Sequence, residues 1–443
     1  MAVIYLLLSV ALIILLTTRL QVHPFIALFL VAVLYGFLVG MPLNTIVQSI
    51  NEGFGETLGK IGLIIIFGVI IGAFLENSGG AYSLAEKVLR IVGQKKVTAA
   101  MGIIGYFVSI PVYADSGFLL VSPLNKSLSK KAGISLAGPA VALGLGLTAT
   151  HTMVPPTPGP IAAAGILSAD LGLVMLLGLP ISALALIASL LYATQYAAKT
   201  YIDPNPQTTD EEIRLLLKNA PGPLKSSIPV LVPILLIIAK SSAQNVGYLS
   251  GSSALQVIAF LGEPVVALCI GAFLSLILPK KLKPEMLSSQ GWVGTALKDA
   301  SSVLLITGAG GIFGKILQNS GIADILGESL AGIHLNIWLP FLLAAAIKTA
   351  QGSSTVALIT TASIILPMMA SLGFETELEK AMVVIALGAG SAVVSHANDS
   401  FFWVVTQMSG MKVKTGYRLY TLGTLVLGFS AAFFLYLSYL VFT

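Results

Sequence analysis

The sequence has little charge and almost no cysteine. Only 10% of its 443 residues are Asp, Glu, Lys or Arg, whereas about 25% of the residues in an average globular protein are charged. Together with a mean hydropathy of +0.94, the low charge excludes a soluble enzyme, a disordered or fibrous chain and a nucleic-acid-binding protein. The single cysteine, Cys269, excludes a disulfide framework and a cysteine metal site.

The sequence also lacks the short motifs of ATP-driven and hydrolytic proteins. It has no phosphate-binding P-loop, which argues against a pump. Ser395 and His396 are neighbours, but neither a zinc-binding HExxH motif nor a nucleophile turn surrounds His151 or His396. We therefore predict that the protein is not an enzyme and that it has no catalytic residues, no metal and no cofactor.

Hydrophobic residues make up 56% of the sequence, and many of them lie in long apolar runs. A membrane-spanning helix needs about 20 apolar residues, so the chain has room for about a dozen membrane segments. The first run, 2–16, lacks the basic region and the cleavage site of a signal peptide, and we interpret it as a retained span. The predicted fold is an all-α polytopic membrane protein in contact with a lipid bilayer.

The two halves of the sequence resemble each other. The motif L-E-N-S-G at 75–79 recurs as L-Q-N-S-G at 317–321. The amphipathic stretches 43–58 and 285–300 also correspond. These matches predict an internal duplication that covers nearly the whole chain.

A polar stretch at 199–225 separates the two halves and is the one clear linker in the sequence. We therefore predict three parts. They are a first repeat at 1–198, a cytoplasmic linker at 199–226 and a second repeat at 227–443.

The basic residues of the loops predict the orientation, because Lys and Arg accumulate on the cytoplasmic side. Most of these basic residues lie on the cytoplasmic side if the N-terminus lies outside the cell and each half has three plain spans, one re-entrant hairpin and two further spans. Five crossings per half invert the second repeat, as is typical of secondary transporters. Residues 85–96, 199–226 and 280–283 should then face the cytoplasm, and 320–335 and 372–379 should face outward.

Four polar segments interrupt the apolar runs. They are the predicted hairpin tips at 109–117 and 348–355 and the predicted broken helices at 150–160 and 395–400. Irregular backbone at membrane depth is tolerated only where it is buried in protein or lines a cavity. The four breaks should therefore meet near the midplane, and their helix N-termini favour an anion.

The breaks contain the predicted substrate-binding residues. Their hydroxyl and amide groups suit a carboxylate that carries hydroxyls, and we expect a small organic anion. The predicted residues are Ser116, Gly117, His151, Thr157, Gly159, Gly352, Ser353, Ser354, Thr355, Asn398 and Ser400.

Two aspartates at membrane depth, Asp115 and Asp399, are the first candidates for coupling transport to a cation. An unpaired charge at this depth costs on the order of 3 kcal/mol or more, so it normally has a function. We predict proton exchange at Asp115 first and at Asp399 second, with His151 and His396 as further candidates. The alternatives are a salt bridge or helix cap for the aspartates and interhelical hydrogen bonds for the histidines.

Several alternatives remain open from the residues alone. Lys348 either has a function at the second tip or extends its amine towards the membrane surface, and Glu76 is interpreted as a helix cap. Coupling to sodium is an alternative to coupling to protons. A passive anion channel, which also uses half-helices, is a second class.

At these breaks the sequence resembles the gluconate permease family of bacterial symporters, within the ion transporter superfamily. The resemblance covers essentially the whole chain, and the proline motif is its most specific part. The matching segments are His23-Pro24-Phe25, Asp115-x-Gly117 with Pro123, His151-x-x-Val154-Pro155-Pro156-x-Pro158-Gly159-Pro160, Gly352-Ser353-x-Thr355-Val356-Ala357 and Asp399-Ser400-x-Phe402-Trp403.

The resemblance implies proton-coupled uptake of sugar acids or related hydroxy and amino acids, such as gluconate or D-serine, across a bacterial inner membrane. It also implies a homodimer in which a transport domain moves as an elevator against a scaffold. Thr157 and Asp115 depart from the family, which commonly has His and Glu at these positions. The substrate is therefore either a gluconate-like sugar acid or a shorter hydroxy acid.

Overall fold

A computed structural model describes residues 2–93, 96–204, 218, 220–245, 253–322 and 335–443. All regular elements in these ranges are helices, which confirms the prediction of an all-helical protein, and the helices of nine or more residues are the following. In the first half they are α1 (Ala2–Thr18), α2 (Pro24–Leu38), α3 (Leu43–Asn77), α4 (Gly80–Val92), α5 (Val97–Val108), α6 (Ala114–Lys131), α7 (Ala137–Met153), α8 (Pro158–Leu167) and α9 (Leu171–Gln195). In the second half they are α10 (Pro223–Asn245), α11 (Ser253–Leu261), α12 (Pro264–Ser275), α13 (Trp292–Asn319), α14 (Trp338–Gln351), α15 (Ser354–Ile365), α16 (Glu377–Ala392), α17 (Ser400–Met408) and α18 (Leu422–Phe442).

Five of the described helices, α3, α9, α10, α13 and α18, are long and apolar enough to cross a membrane. Shorter apolar helices, among them α2, α5 and α15, accompany them. Large apolar side chains are exposed on the outside of the bundle; Leu7 is 64% exposed and Phe273 is 67% exposed. Such a surface suits lipid and not water.

The helices α3 and α13 are the longest, and they pack against each other. The amphipathic stretch 43–58 is continuous with the apolar run that follows it in the 35-residue α3. The two helices approach closely at small residues, because a Cβ added to Gly53 would lie 2.6 Å from Gly311 O. Small residues at such a contact let two membrane helices pack backbone to backbone.

The repeated N-S-G motif ends both long helices in the same way. Ser78 and Ser320 are the C-caps of α3 and α13, and the glycines that follow have φ angles of 77° and 73°. The side chains of the second copy also contact the first half: Asn319 Nδ2 donates to Ser49 Oγ at 2.9 Å. Equal sequence motifs thus have equal local structures.

Each of the four predicted breaks separates two helices. The breaks lie between α5 and α6, α7 and α8, α14 and α15, and α16 and α17. Proline explains one of them directly: α7 ends at Met153 before Pro155 and Pro156, and α8 begins with Pro158 at its first position, where proline needs no hydrogen-bond donor.

Some sequence predictions fall partly outside the described residues. Of the predicted linker, 205–217 and 219 lie outside, and of the predicted outward loop, 323–334 lie outside. The three-part division of the chain and the orientation of its loops therefore stay predictions.

Candidate functional site

The four breaks surround a cavity of about 390 Å³, which we call the central cavity. This volume lies within the range of pockets that bind small molecules. Its walls come from the start of α6, the end of α7, the second hairpin tip, the segment between α16 and α17, and one face of α13 around Ser302. Tyr420 also lines the cavity, and its hydroxyl lies 3.1 Å from Thr148 Oγ1.

The central cavity collects most of the predicted site residues. They come from the two hairpin tips, from the end of α7 and from the segment before α17. Those that line it are Asp115, His151, Gly352, Ser353, Ser354, Thr355, Asn398, Asp399 and Ser400.

Five predicted residues lie elsewhere. Ser116 and Thr157 line a separate cavity of about 50 Å³, which we call the smaller cavity. Gly117 and Gly159 are packing positions, where an added Cβ would lie 2.7 Å from Leu147 and 2.8 Å from Leu358. His396 Nε2 lies 2.8 Å from Thr349 O, so the imidazole connects the segment between α16 and α17 to the second hairpin tip.

A buried ion pair forms one wall of the central cavity. The Lys348 side chain is 1% exposed, and its Nζ lies 2.6 Å from Asp399 Oδ2. The same amine donates to Gly352 O. Because an ammonium has three donors, Lys348 can still donate one hydrogen bond to a ligand.

Asp399 is held by three donors. Ser395 Oγ donates to Oδ2 at 2.5 Å, and the backbone N–H of Phe401 donates to Oδ1 at 3.0 Å. The third donor is Lys348. The salt-bridge and capping alternatives therefore both apply to Asp399.

Asp115 has a different environment in the same cavity. Its Oδ1 is buried and finds no hydrogen-bond partner within the described ranges. The same holds there for Tyr113 Oη and His151 Nδ1. Buried polar atoms without partners are rare and call for an explanation. Here all three line one cavity, which is the arrangement expected of a site that binds polar ligands.

Gly352 allows the second hairpin tip to lie close to the segment between α16 and α17. Its φ is 95°, and a Cβ at this position would lie 2.1 Å from Asn398 O. A side chain there would therefore push apart the two breaks that form the cavity. Asn398 Nδ2 donates to Thr349 O at 2.9 Å and to Ala350 O at 3.1 Å, which satisfies carbonyl groups at the end of α14.

Ser353 caps the start of α15. Its Oγ accepts a hydrogen bond from the Val356 N–H at 3.3 Å, and this bond uses the hydroxyl oxygen and not its proton. Ser354, in contrast, donates its proton to Ser391 O at 2.8 Å. Ser353 is therefore better placed than Ser354 to donate to a ligand.

We predict that Ser353→Ala weakens substrate binding about tenfold to a hundredfold. Losing a hydrogen bond to a charged ligand costs about 1.5 to 3 kcal/mol. Loss of the helix cap also lowers stability by about 1 kcal/mol. Thermal-shift titration with gluconate and glycerate measures both effects. The matched control is Ser363→Ala on the same helix, where the hydroxyl only donates to Ile359 O. Equal affinity of Ser353→Ala and the wild type would remove this hydroxyl from the site.

Sequence reasoning left out several residues of the central cavity. The sequence left open whether Lys348 has a function at the second tip or extends its amine to the membrane surface. Its burial excludes the second alternative. Ser302 lies inside an apolar run that carried no signal of a site. Tyr113 lies inside the predicted hairpin tip at 109–117 but was not among the predicted binding residues, and Tyr420 carried no signal of a site.

A family model described as GntP family permease matches residues 1–441. The chain belongs to this family. Similar proteins include the inner membrane permease YgbN of Escherichia coli, 34% identical over 95% of each chain. A gluconate permease of Pseudomonas aeruginosa is 33% identical over 97% of this chain and 95% of its own. The family resemblance seen in the sequence is thus confirmed.

As a GntP permease with many apolar helices, the protein is a multi-pass protein of the bacterial inner membrane and not an enzyme. The crystal structure of the Alcanivorax borkumensis YdaH transporter aligns with 93% of this chain and 97% of its own, at a TM-score of 0.57 and 14% identity. This likeness concerns the fold alone.

Proposed function

We propose that this GntP permease is a secondary active transporter that takes up a small organic-acid anion together with a proton. The substrate would be a gluconate-like sugar acid or a shorter hydroxy acid, as the name of the Pseudomonas relative suggests. Asp115 would carry the proton, and the second hairpin tip with Lys348 would bind the carboxylate.

The observation that carries this proposal is the contrast between the two aspartates of the central cavity. Asp399 is paired with Lys348 and held by two further donors. Asp115 lies near both of these charges, but its Oδ1 has no partner among the described residues. Low dielectric favours the neutral form of an unpaired carboxyl, so Asp115 is suited to gain and lose a proton.

Concentrative uptake of an anion requires a co-transported cation. An anion that enters a negative cell alone is opposed by about 2.3 kcal/mol per 100 mV. One proton cancels the charge of a monocarboxylate, and the pH gradient then drives uptake. A protonated Asp115 also removes one negative charge from the cavity before the anion arrives, which favours binding of the proton first.

We also propose that the chain is an inverted repeat, 1–198 and 227–443, joined by the linker 199–226. The equal helix ends of the N-S-G motifs and the four helix breaks support the repeat. Within this proposal the protein is a homodimer, and a transport domain with the two hairpins moves as an elevator against a scaffold domain.

Single cysteines test the inversion. In a Cys269→Ser background, cysteines at Tyr201 and Lys281 should react only from the cytoplasmic side, and a cysteine at Glu375 only from outside. The reason is the excess of basic residues in the cytoplasmic loops. Labelling of position 201 by an impermeant reagent in intact cells would contradict both the inversion and the elevator.

Transport by the purified protein in proteoliposomes tests the function. An outside pH lower than the inside pH should drive concentrative uptake of labelled gluconate or glycerate, with protons entering alongside. If uptake needs a sodium gradient, the coupling ion is sodium and not the proton. Uptake that never exceeds the outside concentration would favour a passive channel.

A further inference from the structure

Tyr113 separates the two cavities of the site. It is the one described residue that lines both the central cavity and the smaller cavity. It directly precedes α6, whose second residue is Asp115. Its hydroxyl is buried and unpartnered within the described part of the chain. A hydroxyl is both donor and acceptor, so this group is equipped to pass a proton between the cavities.

The lining of the smaller cavity includes acidic and polar residues. Glu76 of α3 and Asp299 of α13 line it together with Ser116. The Glu76 carboxylate lies near the Ser116 hydroxyl and close enough to Asp299 for electrostatic repulsion. Asp299 itself is exposed. The groups thus lead from the buried Tyr113 hydroxyl to the surface.

The packing of α3 aims Glu76 at this cavity. A Cβ added to Gly72 would lie 2.3 Å from Pro111 O, and one added to Gly68 would lie 3.1 Å from Pro156 O. The glycines let α3 lie directly on the backbone of two breaks. Residues four apart share a helix face, so Glu76 faces the same cavity. The 50 Å³ volume has room for bridging water.

A capping role does not explain Glu76. It lies in the last turn of α3, which ends at Asn77, and the negative end of a helix dipole disfavours a carboxylate there. An ionised carboxylate also has no proton to donate to the terminal carbonyls. The matching position in the second half is Gln318, which carries no charge.

We propose that Glu76 is a second proton site and that Tyr113 relays the proton to it from Asp115. This inference rests on the proposed role of Asp115. In the step, the Asp115 proton moves through a bridging water to the Tyr113 oxygen while the phenol's own proton moves through water to Glu76, because Tyr113 Oη makes no direct hydrogen bond in the described ranges. Asp115 becomes a carboxylate, Glu76 becomes neutral and the phenol is unchanged.

The charged and titratable neighbours are consistent with this direction. Asp115 faces Asp399, Lys348 and His151 in the central cavity, and the Lys348 cation stabilises its carboxylate once the substrate has left. Glu76 faces Asp299, and repulsion between two carboxylates favours a proton on one of them. Release from the exposed Asp299 side completes the path.

The test compares net uptake with exchange in proteoliposomes that contain a pH-sensitive dye. Net uptake requires release of the proton, whereas exchange of labelled for unlabelled substrate does not. The labelled substrate is gluconate or glycerate, depending on which of the two the wild type transports. For Glu76→Gln and Tyr113→Phe, the ratio of net uptake to exchange should fall at least tenfold. Glu76→Asp should restore part of it.

The matched control is Glu56→Gln on the same helix, whose carboxylate pairs with Lys315 at 3.4 Å outside both cavities. It should keep the wild-type ratio. An unchanged ratio in both Glu76→Gln and Tyr113→Phe would overturn the relay, even if total transport falls. If Asp115→Asn loses proton flux while these two variants keep it, only the relay is wrong. If the wild type moves no protons, the proposed function fails first.

Discussion

Asp115→Asn should abolish pH-driven accumulation of substrate, lowering the initial rate of uptake at least a hundredfold, while exchange continues. Asparagine keeps the shape of the side chain but cannot ionise. The variant therefore resembles a carrier that is always protonated, which can bind the anion and change conformation but gains nothing from a pH gradient. Uptake of labelled gluconate or glycerate into proteoliposomes, with and without an imposed gradient, measures both activities.

The matched control for this variant is Asp170→Asn. Asp170 is the N-cap of α9, where its carboxylate accepts from the Leu173 N–H at 2.8 Å, and it lies outside both cavities. The control should keep its response to the pH gradient. If Asp115→Asn still follows the gradient at the wild-type rate, Asp115 is not the coupling residue.

Lys348→Met should abolish substrate binding and destabilise the protein at the same time. Lys348 is the one Lys or Arg side chain that lines the central cavity in the ranges the structure describes, so its loss removes the charge that attracts the carboxylate. It also leaves Asp399 buried without its counter-ion. Removing one partner of a buried pair costs about 3 to 5 kcal/mol.

The double variant Lys348→Met/Asp399→Asn separates the two effects. It no longer contains an uncompensated buried charge, so it should regain most of the lost thermal stability but not the binding of substrate. Thermal unfolding with and without gluconate measures both. Lys380→Met is the control: its pair with Glu377 is largely exposed, and such pairs contribute less than about 1 kcal/mol. A double variant that is less stable than Lys348→Met would contradict this account of the pair.

The sequence alone was enough to predict the class, the family and the helix breaks. Long apolar runs without charge have one stable environment, the bilayer, because their backbone groups must bond within helices there. Proline and glycine act locally, so Pro155, Pro156 and Gly352 indicate helix ends without knowledge of the fold. The family motifs lie at these same positions.

Which residues share a cavity was decided by the tertiary structure. Asp115 and Ser116 are adjacent in sequence, but successive residues of a helix point about 100° apart, so one faces the central cavity and the other the smaller cavity. Lys348 and Asp399 are separated by 51 positions, and the sequence shows each as a lone charge. Only the packing of two hairpins and two broken helices brings the charges together, and it leaves Asp115 Oδ1 without a hydrogen-bond partner among the described residues.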